Sequence, residues 1–207
     1  MKSIDKVVAG ITAIILTLCV VFSCATVPEL KVNYLLPLSS DELKGNALYL
    51  VFRDDREVKD IMGEGAKERF RYFAGNFSLF LNEGTKGKGT PLGLFDVRSL
   101  FLEVFHRRFE SLGITVVPEK GSAQFDLVII LKEFSLDLIN KKWVARIAYE
   151  ARLESSGKVL STQTISGDAE RLRLIGNSQA DTVMSEIFTD IINGLDLGKL
   201  FGYESTE

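Results

Sequence analysis

The chain has 207 residues, with 25 Lys and Arg against 28 Asp and Glu, a formal charge of −3, and 46% apolar residues. That length suits one domain whose core is large enough to fold by packing. The mild acidity gives no broad electrostatic footprint for nucleic acid, and the two cysteines, Cys19 and Cys24, leave the body of the chain without a disulfide framework.

The first residues read as an export signal. Lys2 and Lys6 form a short basic segment, and the stretch from Val7 to Phe22 carries no charge before small residues at Ser23 and Ala25. The uncharged run is short for a spanning helix, so a retained transmembrane anchor is the second reading. "VFSC", residues 21–24, resembles the bacterial lipobox, in which an aliphatic and a small residue precede an acylated cysteine. Phe22 is bulkier than that pattern usually has. Cys19 follows Leu18 and does not fit. Residues 1–23 are therefore expected to be a lipoprotein signal peptide, and Cys24 the lipidation site. Their removal takes away Lys2, Lys6 and Asp5 and leaves the mature chain one unit more negative.

Residues 24–46 are expected to be a lipid-attached tether, partly lying on the domain because Val32, Tyr34, Leu35, Leu36 and Leu38 are too apolar for a free linker. Residues 47–207 form the single predicted domain. "ALYLVF" from Ala47 reads as its first strand and "NFSLFL" from Asn76 as a second, with a short helix within residues 64–73 between them. A Gly-rich loop follows. Asp96 then caps a helix with apolar residues at Val97, Leu100, Phe101, Val104, Phe105, Phe109 and Leu112, stopped by Gly113. After "ITVVP" come two long strands, Phe125 to Ile139 and Lys142 to Glu154.

The alternation of apolar residues predicts that these two strands pair as a hairpin. The register keeps one apolar face only if an extra residue is inserted at Lys132–Glu133, a β-bulge. A further strand, "VLSTQTISGDAE", precedes a last helix that starts near Asn177 or Ser178 and ends at Gly194. The expected fold is α+β: a mainly antiparallel sheet with a long hairpin, and two long amphipathic helices packed on one face.

"VNYLLP", "VFRDDR", "FLEVFHRRFESLGITVVP" and "FDLVIILKEF", together with the N-terminal signal, resemble bacterial envelope lipoproteins of the YajG-like family and the auxiliary lipoproteins of ABC-type transporters. The resemblance implies a periplasmic accessory role in the outer envelope without enzymatic chemistry. It also suggests that Asp54 and Arg56 form a structural ion pair. Ala25 after the cysteine resembles the outer-membrane-directed version of the signal.

Chemistry is sparse. "GTKGKGT" fails the phosphate-loop pattern, because Thr90 stands where the motif needs lysine. His106 is the only histidine and has no partners in sequence for a metal site. No G-x-S-x-G elbow is present, and the adjacent acids Asp54 and Asp55 read as a charged turn between Arg53 and Arg56. The expectation is no catalytic residue, no metal and no cofactor. Arg69 with Arg71, Arg107 with Arg108, and Lys141 with Lys142 read as solvated faces or as contacts for anionic lipid headgroups.

The sequence thus predicts a non-enzymatic, lipid-anchored envelope lipoprotein at the outer membrane, facing the periplasm. Its partners would be the membrane, through Cys24, and an envelope protein or lipid. It would serve as a binding subunit of a transport or envelope-assembly system. A surface-exposed structural or host-contact lipoprotein is the alternative.

Overall fold

A computed structural model describes residues 29–84, 89–174 and 178–202. Eight strands form two sheets. The smaller holds β1 (Leu30–Leu36), β3 (Phe77–Glu83) and β4 (Thr90–Phe95) in the order β1-β3-β4. The larger holds β2 (Ala47–Asp54), β5 (Thr115–Val116), β6 (Phe125–Ile139), β7 (Lys142–Ser155) and β8 (Lys158–Leu172) in the order β5-β2-β6-β7-β8. The helices are α1 (Glu64–Lys67), α2 (Val97–Ser111), α3 (Ser178–Asn193) and α4 (Leu197–Phe201).

This corrects the expected α+β architecture of one mainly antiparallel sheet carrying two long helices on one face. Strand makes up 45% of the structure and helix 25%, so the protein is mostly β. Both sheets are mixed: β1 pairs parallel with β3, and β2 pairs parallel with both β5 and β6. The physical reason is long-range. Parallel strands need crossover connections, and hydrophobic periodicity carries no information about which distant strand lies alongside.

The segment expected as a tether contributes β1. Leu30, Val32 and Tyr34 are completely buried, while Lys31, Asn33 and Leu35 point outward. The free edge of β1 is closed by a helix rather than a strand. Asp181, Ser185 and Thr189 of α3 accept hydrogen bonds from the N–H groups of Lys31 (3.0 Å), Asn33 (2.9 Å) and Leu35 (3.2 Å). The Asn193 amide then donates to the Leu35 carbonyl at 3.0 Å. Four helical residues rise about 6.0 Å and two strand residues about 6.6 Å, so side chains four apart on α3 keep step with alternate peptides of β1. An exposed edge invites pairing with foreign strands, and here polar side chains occupy it.

The β6–β7 hairpin has the register that alternation requires. Leu138 faces Trp143, Phe134 faces Ile147, and the shift between Leu131 and Glu133 restores Leu131 with Tyr149 and Leu127 with Leu153. Asn140 and Lys141 turn with φ of 50° and 65°, the two positive angles that a two-residue hairpin turn demands. The bulge coincides with the end of β2. Beyond it the edge of β6 is taken over by Ile61–Gly63, through Leu136 N–H to Ile61 O at 2.8 Å and Gly63 N–H to Leu136 O at 2.9 Å. A Cβ on Gly63 would stand 2.2 Å from Asp137 Cγ, so only glycine permits this approach.

Helix α2 buries Leu100, Phe101, Val104, Phe105 and Phe109 completely. Its rings meet Phe52 of β2, Phe134 of β6, Tyr149 of β7 and Phe188 of α3. Asp96 caps the helix through Ser99 N–H at 2.7 Å.

Candidate functional site

The one residue for which the sequence assigns a specific role, Cys24, lies outside the described residues. The body offers three polar constellations instead. The first is buried. Arg108, read from sequence as part of a solvated basic pair, points inward and is almost wholly covered. Its guanidinium donates to the carbonyls of Ile192, Asn193 (3.1 Å) and Leu195 (2.6 Å) at the C-terminal end of α3. Tyr149 donates to Ile191 O at 3.1 Å and Tyr34 to Asn193 Oδ1 at 2.7 Å. Burial pushes both phenols above their ordinary range and lowers the guanidinium. A cation at a helix C-terminus satisfies orphan carbonyls and opposes the negative end of the dipole. This constellation holds the fold, with Arg108, Tyr34 and Tyr149 buried.

The second surrounds the bulge. Where β2 leaves β6, Arg56 is buried and forks onto Asp54 through bonds of 3.0 and 2.8 Å, with a longer contact to Phe134 O. Lys59 adds a bond of 3.0 Å to the same carboxylate. The Arg56 hydrogen bonds hold the Asp54 carboxyl well below the usual carboxylate range, against partial burial. A depressed folded value contributes stability above the unfolded value near ~3.9 and loses it as pH falls toward the folded one. Asp54→Asn is therefore expected to lower stability at neutral pH and to flatten the loss in urea melts taken below about pH 4. Asp181, whose carboxyl burial pushes up, works with the opposite sign and is unchanged in that variant.

Beside this fork opens a cleft of about 850 Å³. Asp55, Glu57, Asp60, Glu64, Glu133 and Asp137 line it against Lys67, Lys132 and Arg146, so carboxylates outnumber cations two to one. Lys132 pairs with Asp55 at 3.3 Å, and Lys67 with Asp60 at 3.0 Å and Glu64 at 2.9 Å. These pairs are solvent-exposed and worth little to stability. Asp137 is committed elsewhere: its Oδ1 accepts from the N–H groups of Gly65, Ala66 and Leu138. Of the adjacent acids, Asp54 thus holds Arg56 and Lys59, and Asp55 holds Lys132.

The third is a groove of about 660 Å³ at the β6–β7 turn, where Arg71, Lys141 and Arg173 converge with Lys67, Glu64 and Glu68. The sequence left open which basic clusters lie together; the fold joins parts of two of them and adds Arg173. His106 sits apart on α2, 3.4 Å from Glu110. The Gly-rich segment joins two antiparallel strands, β3 and β4, rather than a strand and a helix. Residues 85–88 are outside the described set. Among the described residues, no group of three or more His, Cys, Asp or Glu could hold a metal ion, and no helix is long and apolar enough to cross a membrane.

No family model matches the sequence, and no curated protein matches it. Solved structures do. Protein XCC0632 from Xanthomonas campestris, described as DUF330, matches at TM-score 0.50 with 13% identity, covering 80% of this chain and 91% of that one. The chain shares its fold. A minor lipoprotein from Acinetobacter baumannii aligns over 76% of this chain and 94% of that one, at 10% identity and TM-score 0.38. Lipoprotein GNA1162 from Neisseria meningitidis aligns over 72% and 99%, at 13% identity and TM-score 0.29.

Two features of this arrangement, Arg108 and the polar row of α3, left signals in the sequence. Arg108 stands four positions after Val104 and seven after Phe101, on the apolar stripe itself. Asp181, Ser185, Thr189 and Asn193 recur every four residues beside the apolar face of α3. A polar row at that spacing marks a helix that bonds along its length.

Proposed function

We propose that this protein is a lipid-anchored lipoprotein of the bacterial cell envelope, held by acylated Cys24, that acts without catalysis as a binding subunit. The reading rests on one observation: "VFSC" closes an uncharged apolar run, in a chain whose body has no other thiol. Beside the Asp54–Arg56 pair the two-sheet fold opens an acid-rich cleft. That cleft suits a partner with basic side chains. An accessory place in a transport or envelope-assembly system, facing the periplasm, is what the resemblance of the body motifs and the signal implies, and Ala25 after the cysteine implies the outer membrane.

Metabolic labelling with a palmitate analogue tests the anchor. Wild type and Cys19→Ala are expected to take the label, and Cys24→Ala to lose it together with cleavage before residue 24. Label that persists in Cys24→Ala returns the N-terminus to a transmembrane anchor. Protease treatment of intact cells then separates a periplasm-facing domain, which is spared, from a surface-exposed one, which is cut.

A further inference from the structure

The groove at the β6–β7 turn shares its end of the molecule with the point where the chain departs for Cys24. Strand β1 begins at Leu30 beside Phe77, and Lys31 is bonded to the first turns of α3. Helix α3 follows the end of β8, where Leu172 pairs with Lys142 next to the hairpin turn. Arg71, in the segment that leads into β3, lines the groove with Lys141 and Arg173, and Tyr72 follows it in the chain. Glu29 is five positions after Cys24, and five residues reach at most ~18 Å. A lipid on Cys24 therefore brings this end to the bilayer, and its surface chemistry is unlike that of the acidic cleft.

Arg71, Lys141 and Arg173 have no described carboxylate as an ion-pair partner, whereas Lys142, Lys67 and Arg171 are each engaged. Around them four apolar side chains stand in solvent: Tyr72 at 77% exposure, Leu172 at 66%, Leu174 at 64% and Ile139 at 40%. Free cations beside exposed leucine and an interfacial aromatic are the combination that lies on a lipid surface, with the charges at headgroup level and the apolar groups below them. We infer that this end is a membrane-facing surface, in which Arg71, Lys141 and Arg173 bind anionic phospholipid headgroups while Tyr72, Leu172 and Leu174 enter the interface. The inference rests on the lipid-anchor reading. It adds an orientation: the domain lies against the leaflet and turns its Lys158 end away.

The experiment uses the mature chain purified from membranes and reconstituted in vesicles. Since the body has no cysteine, Leu174→Cys and Val159→Cys each place one fluorophore, at the proposed face and at the far end of β8. A quencher carried on the lipid is expected to reach the label at residue 174 and spare the one at 159, in vesicles containing phosphatidylglycerol. Each cation near a charged leaflet is worth roughly a fivefold change in the bound population. Arg71→Ser, Lys141→Ser and Arg173→Ser together are therefore expected to shift the equilibrium on the order of a hundredfold and to abolish the difference between the two labels. Pure phosphatidylcholine vesicles are expected to do the same. Equal quenching at both positions, or quenching at 174 that is indifferent to lipid charge and to the triple variant, overturns the inference. Palmitate labelling of the same preparation keeps the two ideas apart. An unlabelled chain fails the anchor reading, and a labelled chain without positional quenching fails the membrane face alone.

Discussion

Replacing Phe101 by alanine is expected to cost about 3–5 kcal/mol, the range for truncating a buried phenylalanine. The side chain is completely buried, and its ring lies within 6.4 Å of five others: Phe52, Phe105, Phe134, Tyr149 and Phe188. Those rings belong to β2, α2 itself, β6, β7 and α3, so collapse around the cavity would have to move several elements together. Close-packed interiors relax only partially, which puts the loss toward the upper part of the range. For a domain of this size each kcal/mol lowers the melting temperature by roughly 2–4 °C, giving a fall of about 6–20 °C. Leu94→Ala is the control. That side chain is mostly exposed, and its loss is expected to stay within about 0.5 kcal/mol. A Phe101→Ala protein that melts with the wild type would mean that the stripe of α2 does not pack between the larger sheet and α3.

What could be read in advance was local. The bulge followed from alternation alone, because Leu131 opposite Glu150 would have set the apolar residues of one strand against the polar face of the other. One inserted residue restores the match, and side-chain period fixes register wherever a face is buried. The stripe of α2 and its Asp96 cap were legible for the same reason: period and capping are properties of neighbouring residues.

The failures were of another kind. Leu30–Leu36 alternates perfectly, yet its partner β3 lies more than forty residues downstream and runs parallel to it. Its other edge is closed by a helix from the opposite end of the chain. Neither neighbour can be deduced from the strand. The expectation of one sheet with helices on a single face failed here, since it assigned α3 to a sheet surface alone. Arg108 was misread through adjacency: it follows Arg107, and two arginines in a row look solvated. Their positions on the helix differ by about 100°, which sends Arg107 to Glu103 at 2.8 Å and Arg108 into the core. Of the candidate surfaces, the acidic cleft had no sequence signature at all. Its carboxylates come from the loop after β2, from α1 and from β6, and the pairing of Ile61–Gly63 with β6 beyond the bulge brings these elements side by side.

Arg108→Met is the second substitution with a large expected effect. Methionine keeps most of the volume and the unbranched stem, so the loss measures the guanidinium rather than a cavity. Three carbonyls at the end of α3, those of Ile192, Asn193 and Leu195, lose their donor. A buried acceptor left unpaired costs about 1–3 kcal/mol. Relief from desolvating a charge offsets part of the sum, because burial already works against the arginine. A net loss of roughly 3 kcal/mol is expected from denaturant melts. Arg108→Lys is expected to recover only a fraction, since an ammonium cannot span three carbonyls with a planar fork. Hydrogen exchange supplies the readout that a generally weakened core would not give. Protection should fall first at the last turn of α3 and at Leu35, which shares Asn193 and Thr189 with it. Wild-type stability in Arg108→Met, or exchange spread evenly over the chain, would remove Arg108 from this role. The consequence bears on the proposed anchor, because β1 is the first described element after Cys24 and its edge is held by α3. On the proposed lipid anchor, a pull on Cys24 would enter the described domain at β1, whose edge is bonded to α3 along the row from Asp181 to Asn193, and Arg108 holds the end of that helix.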